Sequence, residues 1–381
     1  MFLSLHGTWM RSLLIGVVIL SMLFLASCES NSSNAVGPYA TNGGKGCTRV
    51  GILLPETASS ARWESKDHPL LLKAVQTAIP NVHIDYANAQ GDSNLQVQQA
   101  NTDLANGDCI LIVGAHDSVA AAAIVANAKA QNVPVIAYDR MIESKDLNYY
   151  VSFDNIKVGQ LQGQYIADHY HYQTYVEHGQ SVNVMMISGS QTDNNALLFS
   201  EGMHSVLDPL FADGTLSNVY ETFTPNWDNN IAQSEAETAL ANEDNNVQII
   251  YVANDGMAGG VIAALKAVNL SGKVLVTGQD ATASGLNAIL LGSQSMTVYK
   301  PIAQEATSTG NLVKAIYAGA STASLTRGAT TTTYDGGLIP SILDQPVMVD
   351  RTNIASTVIA DGFVTKNEIC QGVPPGTDGI C

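Results

Sequence analysis

Short apolar runs recur along this chain, separated by longer stretches in which apolar residues return at helical spacing. Arg49–Leu54 reads as a strand, Asp67–Ala78 as a helix, His83–Tyr86 as a strand, and Asn94–Asn106 as a helix carrying Leu95, Val97 and Leu104 among Gln and Asn. Ile110–Val113 is predicted as a strand and Val119–Gln131 as an Ala-rich helix that ends before Val133. The run Val133-Pro-Val-Ile-Ala137 has the character of a strand buried on both faces of a parallel sheet. Tyr149–Phe153 follows as another strand, giving way at Asp154-Asn155 to a helix over Ile156–His169.

The rhythm then restarts. Strands are predicted over Val182–Ile187, Asn218–Glu221, Val247–Val252, Val274–Thr277 and Ser295–Val298. Between them lie helices over Asn195–Leu207, Ile231–Asn242, Met257–Val268 and Gly285–Leu291. Alternation with short loops argues α/β architecture built on doubly wound parallel sheets. Its two successive halves imply two lobes with a cleft between them. The helix Ile302–Ala318 is expected to pack back on the first lobe, the Thr/Ser/Ala-rich segment Ser321–Thr333 to be a surface loop, and the tail from Thr331 to return to the second lobe. The first lobe would thus comprise residues 48–153 plus 301–330, the second 154–300 plus 331–369, with 370–381 as a C-terminal tail.

Length supports this division, since 381 residues exceed one ordinary core. The formal charge of −17 argues against nucleic acid, which needs a basic face, and otherwise speaks for solubility. The N-terminus stands apart from the fold. Leu13–Ala26 is an apolar run short for a membrane span and right for the core of an export signal. It leads into Leu25-Ala26-Ser27-Cys28, which resembles the bacterial lipoprotein cleavage box with Cys28 as the lipidated residue. Arg11 is the only Lys or Arg before it, so an uncleaved anchor is the alternative. Residues 1–28 are then a signal peptide, and 29–47, rich in Ser, Asn and Gly, a flexible tether.

Cys47, Cys109, Cys370 and Cys381 remain, as suits an exported protein. Cys47 and Cys109 each sit just before a strand, close enough for a disulfide if those strands are neighbours. Cys370 and Cys381 would then pair around the tail; free buried thiols are the alternative. None of the cysteines has metal-ligand spacing. His169, His171 and His178 read as solvated surface, and the sequence calls for no cofactor. G-x-S-x-G, H-E-x-x-H, Walker A and a dinucleotide-binding glycine pattern are all missing, and Gly43-Gly-Lys-Gly46 sits in the tether, so no catalytic machinery is expected.

The informative pattern lies at the strand ends. Leu53-Leu54 leads through a short loop to Arg62-Trp63, Ala137-Tyr138 to Asp139-Arg140, and Met186-Ile187 to Asp193-Asn194-Asn195. Val252-Ala253 leads to Asn254-Asp255, Thr277-Gly278 to Gln279-Asp280, and Val298-Tyr299 to Lys300. In open α/β sheets ligands sit beyond the carboxyl ends of strands. Donors, acceptors and an indole converging there match a pyranose, whose hydroxyls want bidentate planar groups and whose C–H face wants an aromatic ring. Each residue taken singly has a plainer reading. Asp139-Arg140 could be a structural ion pair, Asn254 or Asp255 a helix N-cap, Trp63 and Trp227 half-buried aromatics, and Lys300 a turn residue.

Several strings in fixed order resemble the periplasmic sugar-binding proteins of ABC transporters, the ribose-binding type, and within them the D-xylose-binding branch. They are Ala137-Tyr-Asp-Arg-Met-Ile, Ser152-Phe-Asp-Asn with Lys157-Val-Gly, Asp193-Asn-Asn-Ala, Asn254-Asp255, Leu270-Ser-Gly-Lys-Val, Gly278-Gln-Asp-Ala, Thr297-Val-Tyr-Lys-Pro-Ile and Asp361-Gly-Phe. The resemblance runs from about Arg49 to Val364. It implies two lobes joined by three hinge strands, a monosaccharide enclosed on closure, an ABC permease and its ATPase as partners, and a monomer exported to the cell surface or periplasm. Carried over by position, it places ligand contacts on Arg62, Trp63, Asp139, Arg140, Asn194 or Asn195 or both, Trp227, Asn254, Asp280 and Lys300. D-xylose is the favoured ligand. Ribose, glucose, arabinose or a furanose signal are the nearest rivals, followed by a sensory role toward a receptor kinase or chemoreceptor. A repressor core and an enzyme on the same scaffold are disfavoured, the first by the N-terminal signal and the second by the missing nucleophile–base set. The Ala/Ser-rich stretch before Arg62 and the polar insertion Asp168–Gly179 depart from the family pattern.

Overall fold

Among the described residues, eleven of the thirteen strands lie in two sheets. In the computed structural model, which describes residues 43–170 and 181–381, seven strands form the first sheet in the order β11-β12-β5-β4-β3-β1-β2. These strands are β1 Arg49–Leu54, β2 His83–Asn88, β3 Ile110–Val113, β4 Val135–Tyr138, β5 Tyr149–Phe153, β11 Thr330–Thr332 and β12 Leu338–Asp344. All pairings are parallel except β11–β12. The second sheet is wholly parallel, in the order β7-β6-β8-β9, from β6 Val182–Ser188, β7 Leu216–Phe223, β8 Ile249–Val252 and β9 Leu275–Val276. A short antiparallel pair, β10 Thr297–Tyr299 with β13 Val347–Val349, adjoins it through the Val298 N–H bond to the Gly278 carbonyl, 3.1 Å.

The central strands were readable because they are buried on both faces. β3 and β4 have every residue buried, as continuous apolar runs in a helix-covered parallel sheet require. Helices α1 His68–Ala78 and α9 Ile302–Ala318 cover one face of the first sheet, where Leu71, Val75, Leu312 and Val313 meet Ile52, Ile112 and Ile136. Helices α2 Ser93–Asn106 and α3 Ala122–Ala130 cover the other, around Leu53, Leu111, Val113 and Val135. The second sheet packs between α4 Asn155–His169 with α5 Asn194–Ala212, and α6 Asn229–Asn242 with α7 Asp255–Ala267. Helix α8 Ala283–Leu291 and the C-terminal segment form a smaller core around Leu286, Ile289, Val358 and Ile369.

Helix starts follow side-chain capping. Asp92, Asp154, Asp193, Asp228, Asn254 and Thr282 each accept a backbone N–H of the first turn of α2, α4, α5, α6, α7 and α8 in turn. Helix α3 begins at Ala122, later than the Val119 expected. Asp117 Oδ1 accepts the N–H groups of Val119 and Ala120 at 2.9 and 2.8 Å, holding those residues in a turn.

Three features of the tail and start differ from the sequence reading. The stretch Ser321–Thr333 is not merely a loop: it holds a short helix, Ala323–Thr326, and strand β11. The tail from Thr331 does not go straight to the second half. It turns at Tyr334–Gly337 and adds β12 to the first sheet, parallel to β5, with Ile342 opposite Val151. Only after Asp344 does the chain cross again, to β13. Residues 43–47, assigned to a tether, pack on the fold: the Gly46 N–H donates to the Tyr317 carbonyl at 2.9 Å, and Cys47 is buried in the first core. Cys47 is bonded to Cys109 and Cys370 to Cys381. Cys28 and the apolar run before it lie outside the described residues, as do His171 and His178. Among the described residues no helix is long and apolar enough to cross a membrane, and no cluster of metal-binding side chains occurs.

At the amino ends of β1 and β2 sits a buried acidic group. Arg49 bonds to both Asp85 and Asp108, while Asp103 Oδ2 and Asp108 Oδ2 are buried without hydrogen-bond partners. Burial and then the neighbouring Asp85 raise the Asp103 carboxyl to about 7, with Arg49 opposing. A raised acid takes up its proton on folding, so its contribution is complete below the ordinary carboxylate value of about 4. It is lost as pH rises through 7. Asp103→Asn is therefore expected to raise the urea midpoint at pH 8 and to change it little at pH 5. An equal effect at both values would mean that the carboxyl is ionised throughout.

Candidate functional site

Between the carboxyl ends of the two sheets lies a narrow cavity of about 30 Å³. The capping pattern explains its position. Asp193 and Asn254, the caps of α5 and α7 after β6 and β8, both line it. Arg62, Trp63, Asp139 and Arg140 come from the first sheet's loops, and Asn195, Trp227, Asn254, Asp280 and Lys300 from the second half. Ser59, Ser60, Asp193, Phe199 and Gln279 complete the lining.

Asp139 is the hub. It follows β4 with a left-handed backbone, φ 59°, a conformation a side chain adopts only when its surroundings hold it there. Here the Asp139 N–H bonds the Val151 carbonyl at 2.8 Å, and its own carbonyl accepts from Ser152 Oγ, Tyr150 OH and Asn195 Nδ2 at 2.6, 3.0 and 3.1 Å. Its carboxylate Oδ2 accepts from Lys300 Nζ at 2.9 Å and Arg62 Nη1 at 3.0 Å. Burial alone would raise its pKa. Arg62 and Lys300 more than reverse that and hold the carboxyl well below the usual range.

Arg62 is fixed from behind by a two-pronged bond, Nε and Nη2 to the two oxygens of buried Asp67 at 2.8 and 2.7 Å. Asp67 also accepts from Tyr138 OH at 2.7 Å. Arg140 donates from Nε to Asp193 Oδ2 at 2.9 Å. Both guanidiniums lie over the Trp63 ring, 4.6 and 5.2 Å from its centre. Asp193 receives a second donor, Trp227 Nε1, at 3.2 Å, and Phe199 meets that indole edge-on with 6.3 Å between centroids. Trp227 also has a left-handed backbone, φ 55°, as does Asp280, φ 97°. The indole fits only because position 189 is glycine: a Cβ there would stand 2.1 Å from the ring.

The two remaining carboxyls behave differently from Asp139. Burial raises Asp193 and Asp280, with Arg140 in one case and Lys300 then Arg62 in the other only partly offsetting it. Behind Arg62, Glu305 from the first turn of α9 is fully buried with no hydrogen bond to either oxygen, 3.6 Å from Arg62 Nη2. Burial and then the Asp139 charge push it well above its ordinary value, with Arg62 opposing. The cavity therefore offers cationic donors, one firmly ionised acceptor, neutral amides and two indoles. That set can hold a neutral polyhydroxylated ring and presents no nucleophile paired with a base.

Of the residues singled out from sequence, Asn194 is the one the cavity leaves aside. It is buried next to it, its N–H on Ser118 Oγ and its Oδ1 accepting from Tyr334 OH, while Asn195 lines the space. Asn254 does both things proposed for it, capping α7 through Met257 N–H at 2.9 Å and lining the cavity. Asp255 is structural, accepting from Thr282 and Gln294 away from the lining. Asp193 and Gln279 stood in the same strand-end strings and were passed over. Phe199 lies four residues after Asn195, one helical turn along the same face. Nothing in the sequence singled out Ser59, Ser60 or Glu305.

The periplasmic binding protein domain model matches residues 50–321. The chain belongs to the periplasmic binding protein family. It is 36% identical over 310 residues to the D-xylose-binding periplasmic protein of Haemophilus influenzae, covering 81% of this chain and 88% of that one. With the D-xylose-binding periplasmic protein of Escherichia coli K12 it shares 34% identity over 310 residues, with the same shares covered. Among solved structures it resembles a carbohydrate transporter solute-binding protein from Chloroflexus aurantiacus in complex with D-glucose, at TM-score 0.74 and 30% identity. That match covers 84% of this chain and 97% of the other. The family's architecture, two α/β halves with a cleft between parallel sheets, is the one described above.

Proposed function

We propose that this chain is the solute-binding component of an ABC-type sugar importer, that it encloses a monosaccharide between its two halves, and that D-xylose is its ligand. One observation carries the reading: the cavity joins two indoles, three cationic side chains and the ionised Asp139, drawn from both sheets. Trp63 and Trp227 would bracket the sugar ring, Asp139 and Asp280 accept from its hydroxyls, and Arg62, Arg140, Asn254 and Lys300 donate. Gln279 Oε1, buried without a partner in the lining, would accept one more hydroxyl. The favoured sugar follows from the two xylose-binding relatives, and glucose is its rival because the similar solved structure holds it.

The lobes would be residues 48–153 plus 301–344 and 154–300 plus 345–369, moving about the three crossings at Phe153–Asn155, Lys300–Ile302 and Asp344–Val347. Closure on the sugar would set both lobes in the relation a permease recognises. A monomer held to the membrane by lipid on Cys28, with residues 29–42 as the tether, fits the export signal.

Titration of the soluble chain from Gly43 with D-xylose, D-ribose, D-glucose and L-arabinose, followed by tryptophan fluorescence, tests this reading. A saturable change with D-xylose at the lowest concentration is expected. Saturation by glucose first would move the ligand and keep the role; silence with every sugar would end the sugar-binding reading.

A further inference from the structure

Beside the sugar cavity lies a second, larger space that the reading above does not use. It measures about 340 Å³ and shares Ser59 with the first. Its walls come from both halves: Thr57, Gln90 and His116 from loops of the first sheet, Asn226, Asn229 and Asn230 from the segment that carries Trp227 and the start of α6. Glu56, also in its wall, reaches to 3.8 Å from Arg140 of the first cavity. Buried Ser59 is thus the wall the two spaces share, and of the consecutive residues Asn226 and Trp227 each lines one of them.

Its chemistry differs from the first. No lysine or arginine lines it, and the acids are Glu56 and Asp228, so a carboxylate or phosphate substituent would find no counter-charge and two like charges. The rest is hydroxyl, amide and imidazole. Two of these polar atoms, His116 Nδ1 and Asn229 Oδ1, are buried and lack any hydrogen-bond partner. Buried polar atoms without partners are rare in folded chains and mark where a ligand or water completes the bonding. Burial and then the nearby Arg140 keep His116 below its ordinary pKa, so the imidazole is neutral and can accept or donate to a hydroxyl.

The geometry points to a second sugar subsite: this chain takes a neutral disaccharide, one ring in the tryptophan-lined cavity and the next in the adjoining space past Ser59. The inference rests on the sugar-binding reading and enlarges its substrate class. A second ring there touches both halves, so it favours closure as the first ring does. Size separates this subsite from the first, and the absence of cations sets its preference for uncharged rings.

Isothermal titration of the soluble chain with D-xylose, D-glucose, xylobiose and cellobiose tests it, alongside Thr57→Trp, which fills the space from an exposed loop position outside the first cavity. The expected result is that the disaccharide of the preferred monosaccharide binds at least as tightly as that monosaccharide. Thr57→Trp should then weaken the disaccharide by about tenfold or more and leave the monosaccharide within about twofold. Monosaccharide binding with no disaccharide binding overturns the subsite and leaves the proposed function standing. Disaccharide binding that Thr57→Trp does not weaken also overturns it, by putting the second ring elsewhere. Binding of neither class removes both.

Discussion

Asp139→Ala is expected to abolish sugar binding and to destabilise the folded chain by about 3–5 kcal/mol, the range for removing one partner of a buried ion pair. Lys300 Nζ has Asp139 as its one ion-pair partner within 4 Å among the described residues, so the variant leaves a buried ammonium without a countercharge. Arg62 keeps Asp67 and loses its second short bond. The substitution also relieves the left-handed backbone at this position only if the strand end is rebuilt, because the Asp139 carbonyl and N–H remain tied to Ser152, Tyr150, Asn195 and Val151. Urea unfolding at pH 7, with and without sugar, measures both effects. The pH dependence has a definite sign. A carboxyl held below its ordinary value contributes stability above about pH 4 and loses it as pH falls through the folded-state value. The parent should therefore keep this contribution into strong acid, and the gap between parent and variant should close only there. A variant with the parent's urea midpoint at pH 7 would mean that Lys300 is solvated and that the hub described here is wrong.

Trp227→Ala is expected to lose most of the fluorescence response to sugar and about 3–5 kcal/mol of stability, as for other buried Trp→Ala changes. The indole is 5% exposed, fills the space left by Gly189, packs edge-on to Phe199 and donates to Asp193. Its removal takes away a face for the sugar's C–H groups and one of the two side-chain donors to Asp193. Trp227→Phe separates these contributions, since it keeps a ring and drops the Nε1–H donor. Affinity restored by Phe would assign the role to the ring; affinity lost equally in both variants would assign it to the bond with Asp193. Binding unchanged in the alanine variant would take Trp227 out of the site.

Much of this architecture was legible because the signals are local. Short continuous apolar runs bounded by turn residues, such as Ile110–Val113 and Val135–Tyr138, read as strands of a covered parallel sheet, and Asp or Asn before a helix announces where it starts. Together these place the polar strand ends on one side of each sheet, and nine of the ten site residues singled out from the sequence line the cavity. Asn194 and Asn195 show the limit of that resolution. Both open α5 and both are buried, and a rotation of one residue decides which faces the space.

What stayed hidden depends on pairing between distant segments. Leu338–Asp344 carries Pro340 and alternates irregularly between buried and exposed, so its sequence does not announce a parallel strand; its place beside β5 is set by the hairpin with β11 and by contacts with residues about 190 positions earlier. Glu305 reads as an ordinary acid in a first helical turn, and only its burial beside Asp139 and Arg62 in the folded chain raises it well above its ordinary value. The left-handed backbones at Asp139, Trp227 and Asp280 carry no glycine to mark them. The sequence by itself determined the α/β class, the two successive halves and the character of the residues at the strand ends, all of which follow from periodicity and local capping. The tertiary structure alone decided which carboxyls are pushed up and which held down, which indole meets which acid, how the tail completes the first sheet and that a second space lies beside Ser59. Those depend on burial and on distances between residues far apart in the chain, and no local pattern encodes them.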